Sequence, residues 1–205
     1  QAAYRHSTEL INSHQLAASK VLANRIETRS TLLRTALQDL ASNFNLKQLI
    51  AAAGEDPASL EAALANYRRR LEGDLFLVLD GDGQPLIGPG VLPISVSPQA
   101  LSDSQPTFIL IDKIPYLAKA APVRFAERSP TVNAWLLIAE GMSTFITPSL
   151  VDQTGMQMSL ASLHSTPRIW SSSLGEASMT TLEAALQSQS EAGMFNLELD
   201  NRPHT

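Results

Sequence analysis

The sequence predicts an α+β fold: a long N-terminal helix, then a module built on a five-stranded antiparallel sheet, then a smaller and incomplete second α/β module. Apolar residues recur at intervals of three and four as far as Phe44, which is the period of one helical face. From Leu75 onward the apolar residues alternate or run continuously, as they do in strands. The composition, 44% hydrophobic and 17% charged, is that of a folded domain and excludes a disordered chain.

The first element is one long amphipathic helix. No Gly or Pro interrupts residues 7–44, a stretch of roughly 55 Å at the helical rise per residue. A compact globule of 205 residues is only about 43 Å across, so this helix should extend beyond it. Long helices of that kind carry a signal along their length, and we expect the same of this one. An ordinary core helix of a bundle is the alternative, and the β-rich remainder argues against it. The predicted apolar stripe is Ile11, Ala18, Leu22, Ile26, Leu33, Leu37, Leu40 and Phe44.

Two shorter helical segments are predicted next. Residues 45–51 continue or restart the helix as far as Gly54. A further helix begins at Asp56, a good N-cap, with Pro57 in its first turn, and it ends at Gly73. The basic run 68–70 lies near the end of that helix, where exposed cations are favourable, and it does not indicate nucleic-acid binding.

Strand patterns fill residues 75–141. A buried strand at 75–80, the turn residues 81–84 and a short strand at 85–88 predict a hairpin. One helical turn is predicted near residues 99–102 of the Pro- and Ser-rich connection 89–106, which is long enough to be a binding loop. Three further strands are predicted, with turns at 113–115 and 126–130, at residues 107–112, 116–124 and 133–141.

Residues 144–205 repeat the first module in outline, as helix, hairpin, helix and strand, without its last strands. A short helix at about 144–154 precedes strands at 156–163 and 168–172, a helix at about 178–190 and a strand at 194–199. We therefore predict three segments: a signalling helix at 1–53, the sheet module at 54–143 and the smaller, truncated module at 144–205. An unpaired strand edge is predicted at the C-terminal end.

Bulk properties exclude several function classes. The net charge of −5 argues against nucleic acid as a partner, and the absence of cysteine excludes disulfides and Cys-based sites. No apolar run approaches 18 residues, so no membrane span is predicted here. Both ends of the sequence are abrupt, and we expect the chain to be a segment of a longer protein whose transmembrane segments lie outside it.

No catalytic, metal or cofactor pattern is found. The sequence lacks a nucleophile elbow, a P-loop and a dinucleotide fingerprint, so we predict no enzyme and no cofactor in this segment. Asp80-Gly81-Asp82-Gly83 lacks the acidic twelfth residue of a calcium loop, because Val91 occupies that position, and it is interpreted as a hairpin turn. The four histidines have no shared spacing, so no metal site is predicted.

The order of elements resembles the double Cache (PAS-like) extracytoplasmic sensory domains of bacterial receptors, of the kind that precede GGDEF diguanylate cyclases and histidine kinases. The long N-terminal helix and three segments carry the resemblance: 75–88 (LFLVLDGDGQPLIG), 116–124 ending in Ala-Pro-Val-Arg, and 135–141 (WLLIAEG). The resemblance implies a PAS-like sheet module and a ligand-sensing role in the periplasmic portion of an inner-membrane protein. It also implies a cytoplasmic output enzyme encoded elsewhere in the longer protein.

One face of the sheet supplies the candidate ligand-binding residues. Aligning the last three strands by their turns places small residues on one face, and the other face is almost wholly aliphatic. An apolar cavity with a few orienting polar groups is typical of ligand sites, with Arg124 for a carboxylate and Asp112 for an amine. The alternative is that the aromatics are core residues and that the charges are solvated at strand ends. The candidates are Phe108, Asp112, Tyr116, Arg124 and Trp135.

The sequence thus predicts a sensor of an unknown small molecule or periplasmic protein. Binding would favour one arrangement of the long helices, in a homodimer formed through the N-terminal helix. That seam is predicted from spare small and apolar residues, namely Leu10, Ala17, Val21, Thr28 and Thr31. The alternative is a ligand-free structural or dimerisation module of a membrane receptor.

Overall fold

The structure, a computed structural model, describes residues 2–87, 97–112, 114–126, 129–155, 157, 159–162 and 168–187. Its contacts divide the chain into two compact units, residues 23–141 and residues 1–22 with 142–205. The three predicted segments remain a prediction. The predicted strand at 194–199, with its unpaired edge, and residues 89–96 of the predicted Pro- and Ser-rich connection lie outside the described residues.

The long helix α1 spans Ala2–Ser42, as the absence of Gly and Pro predicts. Asn43 interrupts it for a single residue and caps the next helix α2, Phe44–Ala51, by accepting a 3.1 Å hydrogen bond from the Leu46 amide. Leu33 and Leu37 of the predicted stripe are fully buried. Phe44 is 69% exposed, so its place in the stripe is wrong; the break at Asn43 resets the helical phase before it.

Helix α3 spans Pro57–Leu71, and Asp56 caps it as predicted. The Asp56 carboxylate accepts a hydrogen bond from the Ser59 amide at 3.2 Å, and hydrogen bonds from Ser59 lower its pKa. The C-cap is Glu72, in the left-handed conformation with φ +55°, and not Gly73. Gly73 serves another purpose, because a Cβ there would lie 2.8 Å from Ile138. Glycine therefore lets the chain enter the sheet close beside a buried strand.

Five antiparallel strands form the sheet of the larger unit in the order β2-β1-β5-β4-β3, which confirms the predicted α+β fold. The elements are β1 Leu75–Asp80, β2 Pro85–Ile87, helix α4 Pro98–Leu101, β3 Thr107–Ile111, β4 Ile114–Val123 and β5 Ala134–Gly141. The predicted turn between β1 and β2 is also confirmed, because the Asp80 carboxylate accepts hydrogen bonds from the amides of Asp82 and Gln84.

Helices α1 and α3 cover one face of this sheet. Arg29 of α1 forms a 2.5 Å ion pair with Glu140 of β5, and its guanidinium also donates to the Leu71 carbonyl at 2.7 Å. On the same face, the ring of Tyr67 from α3 lies 6.4 Å from the ring of Phe76. Arg29 thus ties α1 to both the last helical turn of α3 and the end of β5.

The other face carries the apolar core around Trp135, and here one predicted strand phase is wrong. The register pairs Ile109 with Tyr116 and Phe108 with Leu117, so Phe108 and Leu110 lie on the opposite side from the core and are exposed. The turn between β3 and β4 has two residues, because Ile111 pairs with Ile114, and not the predicted three. A change of one residue in a hairpin turn moves every side chain of a strand to the other face.

Lys119 of β4 is fully buried. Its ammonium donates to the carbonyl of Asp103 at 2.8 Å and to the carbonyl of Gln105, both in the connection between α4 and β3. The side chain thus reaches toward the sheet edge, as a long cationic chain does, but its charge stays out of water. Desolvation lowers the pKa of Lys119, the nearby Arg34 lowers it further, and Asp103 opposes the shift.

The smaller unit contains two strands and two helices besides the start of α1. A 3₁₀ turn at Met142–Thr144 leads to helix α5, Pro148–Thr154, which Thr147 caps and Gly155 ends at φ +64°. Strands β6, Ser159–Ser162, and β7, Arg168–Ser172, pair antiparallel, and helix α6 follows at Glu176–Gln187. The predicted order of helix, hairpin and helix is confirmed. Within the described part of the chain, no helix is both long enough and apolar enough to cross a bilayer.

The phase of β3 predicts that truncating two neighbouring side chains lowers the free energy of unfolding by very different amounts. Ile109→Ala removes a buried side chain and should lower the free energy of unfolding by about 2–5 kcal/mol. Leu110→Ala, at a side chain that is 57% exposed, should cost about 1 kcal/mol or less. Urea denaturation of the two variants measures both values, and equal losses would contradict the register.

Lys119 predicts a rise of stability with pH. Because its folded pKa lies below that of the unfolded chain, the unfolded chain binds more protons between the two values, and the free energy of unfolding increases with pH in that alkaline window. The Lys119→Met variant lacks this contribution to the free energy of unfolding, whereas every other titratable group is the same in both proteins. Urea denaturation between neutral and alkaline pH should give a flatter profile for the variant; parallel profiles would show that Lys119 titrates normally.

Candidate functional site

The structure does not bring the five candidate residues together. Trp135 is buried in the apolar core and Tyr116 packs partly against it, whereas Phe108 is exposed on the opposite face. Asp112 is exposed in the turn between β3 and β4, at φ +50°. Arg124 directly follows β4 and lines a concave surface on the edge of the sheet beside α1 and α2. A single pocket lined by all five residues is therefore not present.

Apolar side chains fill the face on which the pocket was expected. The small residues Ala118 and Ala120 leave room above β4, as the sequence predicts. Leu101 of α4, which is fully buried, occupies that room together with Ile109 and Ile111 of β3. The aromatic Trp135 is thus a core residue, in agreement with the alternative that the sequence left open.

The concave surface beside Arg124 is the candidate site. It is a cavity of about 290 Å³ at the junction of α1, α2 and the end of β4. Its lining combines two cations, an amide and a hydroxyl with small apolar residues. The lining residues are Gln38, Ala41, Ser42, Lys47, Ala121, Pro122 and Arg124.

Local backbone bonds fix the position of Arg124. Just before it, the Val123 carbonyl accepts a 2.9 Å hydrogen bond from the Asn133 amide. Just after it, the Phe125 amide donates to the side-chain oxygen of Asn133 at 3.0 Å. Asn133 therefore holds the chain on both sides of Arg124, and the guanidinium extends from a fixed point at the end of a central strand.

The helix break places Lys47 in the same cavity. Gln38, Ala41 and Ser42 belong to the last turns of α1, whereas Lys47 lies in the first turn of α2. One extended residue, Asn43, separates the two helices. The cavity wall therefore crosses the break, and anything bound there contacts both helices and the sheet.

The cavity has a positive electrostatic character. Among the described residues, its lining includes two cations and no carboxylate. Among the residues that the structure describes, neither Arg124 nor Lys47 forms an ion pair. The hydroxyl of Ser42 already donates to the Asp39 carbonyl at 2.7 Å, so its hydrogen is not free for a ligand. A guanidinium fork beside an ammonium is a donor set that suits carboxylate or phosphate oxygens.

Sequence reasoning identified Arg124 but missed Lys47 and Gln38. Helical periodicity treats residues 38 and 47 as parts of one continuous or restarted helix, and it says nothing about their nearness to the end of β4. One local signal was present: Asn43 is a good N-cap residue and marks the start of a new helix. Finding the cavity also required the packing of α1 on the sheet.

A second cavity, of about 300 Å³, lies in the smaller unit between α5 and β7. Its hydroxyls are already engaged: Thr147 bonds to Ser149 at 2.9 Å, and Ser172 bonds to Ser159 at 2.6 Å. Within the described ranges, no group of three or more acidic or histidine side chains is arranged to hold a metal ion. The cavity at Arg124 is therefore the stronger candidate for ligand binding.

No family model matches the chain, and neither a curated protein nor a solved structure matches it.

Proposed function

We propose that this chain is the extracytoplasmic ligand-sensing domain of a transmembrane signal-transduction protein. The output domain of that protein would be a diguanylate cyclase or a histidine kinase. The observation that carries the proposal is the cavity at Arg124, which joins the end of a central strand to the last turns of a 41-residue helix. The order of elements and the resemblance to double Cache sensors agree with this role.

The cavity suggests how binding is relayed. A ligand that touches α1, α2 and β4 together favours the arrangement in which these three elements are held at their present spacing. Any arrangement that moves the end of α1 away from Arg124 loses those contacts, so the ligand has different affinities for the two states. Because α1 is one continuous helix, a displacement at its C-terminal end is passed along its length.

A homodimer through α1 completes the proposal. Ala17, Val21, Thr28 and Thr31 of the expected seam are exposed on α1 and free of charge, while the side chain of Leu10 lies outside the described residues. Small, uncharged residues at intervals of three, four and seven permit two helices to approach closely. In the periplasm, two such helices would lead to the membrane and to the output domains.

The competing function is a ligand-free structural or dimerisation module. The specific observation in its favour is the filled sheet face, where Leu101 and Trp135 occupy the space expected for a ligand. Such a module would use α1 as a spacer and would have no occupant at Arg124.

A ligand screen with a helix readout tests the proposal. The 205-residue chain is heated in the presence of amino acids, organic acids, polyamines and purines. A specific ligand at about 100 times its dissociation constant should add roughly 2.7 kcal/mol of stability. It should also slow amide hydrogen exchange in the last turns of α1, at residues 38–42. The absence of any hit across the library would favour the ligand-free module.

A further inference from the structure

We infer that the cavity at Arg124 selects a small anion carrying two acidic groups or a phosphoryl group, and that this anion fixes the break between α1 and α2. The inference rests on the proposed sensing function and specifies its ligand class. It starts from two cations that line one cavity from different elements, with no carboxylate among the described lining residues.

The two cations differ in the shape of their charged group and in how their backbone is held. Arg124 presents a planar fork that binds two oxygens of one acidic group, and Asn133 holds its backbone in place. Lys47 presents a single compact charge from the first turn of α2. A ligand with one acidic group satisfies only one of them fully. A second negative charge at the other end of the ligand, or the several oxygens of a phosphoryl group, satisfies both.

The remaining lining limits the size and character of the ligand. A volume of about 290 Å³ lies just below the usual range for ligand sites, so the cavity can enclose no more than a small ligand. Ala41, Ala121 and Pro122 provide a short apolar wall that suits a few carbon atoms. The amide of Gln38 adds one neutral hydrogen-bonding group.

Binding of such an anion would act on the helix break. Lys47 belongs to α2, while Ser42 and Gln38 belong to α1, and only Asn43 lies between the two helices. An anion held at one end by Arg124 and at the other by Lys47 therefore restrains the angle between α1 and α2. Without it, two cations with no ion-pair partner among the described residues share the cavity and repel each other, which favours a more open junction.

Titration calorimetry with a series of anions tests this inference. The probes are inorganic phosphate and the straight-chain diacids malonate, succinate and glutarate, with acetate as the one-charge comparison. We expect at least one probe with two charges to bind ten times or more tighter than acetate. We also expect the affinity to fall as the salt concentration rises. Phosphate alone would indicate a phosphoryl group, and one favoured diacid length would indicate a dicarboxylate.

Variants connect the binding to the two cations. Arg124→Gln and Lys47→Met should each weaken the best probe at least tenfold, and Arg124→Lys should retain part of the affinity because it keeps the charge but loses the fork. Arg69→Gln is the matched control, since Arg69 is an exposed cation in the last turn of α3 and should leave the affinity unchanged. Melting without a probe establishes that each variant folds. Lys47→Met keeps the test valid should Arg124→Gln fail to fold.

The outcomes separate this inference from the proposed function. If the ligand screen yields only neutral or cationic ligands, or an anion that binds equally well to Arg124→Gln and Lys47→Met, the anion site is wrong and the sensing function stands. If no compound of either set binds, both are overturned. Loss of affinity in both variants, with added hydrogen-exchange protection across residues 42–46, supports the anion site and its action on the helix break.

Discussion

The packing of α1 against the aliphatic face of the sheet is the constraint on which the larger unit depends. Leu33 and Leu37 are fully buried there, and the ion pair of Arg29 with Glu140 fixes the helix both along and around its axis. Arg29 also bonds the last turn of α3, so one side chain orients two helices on one strand end. The position of the helix break, and hence the cavity at Arg124, follows from that placement.

The same interface carries two polar atoms that find no hydrogen-bond partner among the described residues. The hydroxyl of Ser30 and the Nε of Arg34 are buried without a hydrogen-bond partner, and each such group costs about 1–3 kcal/mol. Lys119, from the strand below, adds a second buried charge of the same sign as Arg34. These costs lower the net stabilisation that α1 gains by packing on the sheet.

Local patterns were enough to predict most elements but not their contacts. The α3 cap at Asp56, the β1–β2 turn at Asp80 and the strand period of β5 each depend on neighbours in sequence, and each was predicted correctly. The phase of β3 depends on whether the hairpin turn has two or three residues, which composition does not decide. Phe44 and Lys47 lie elsewhere than one continuous helix would place them, because a single residue, Asn43, separates α1 from α2. The site likewise required the tertiary placement of α1, since Arg124 and Lys47 are far apart in sequence.

The burial of Lys119 also makes its amine a chemical probe of local opening. A reagent that modifies lysines reacts with an amine that is exposed to water, and this amine is buried with its two carbonyl partners in the connection between α4 and β3. When closing is fast, the half-life of its modification is set by the equilibrium population of the open form together with the intrinsic reactivity of the amine. The rate of modification at Lys119 thus reports how stable the larger unit is against opening around β4.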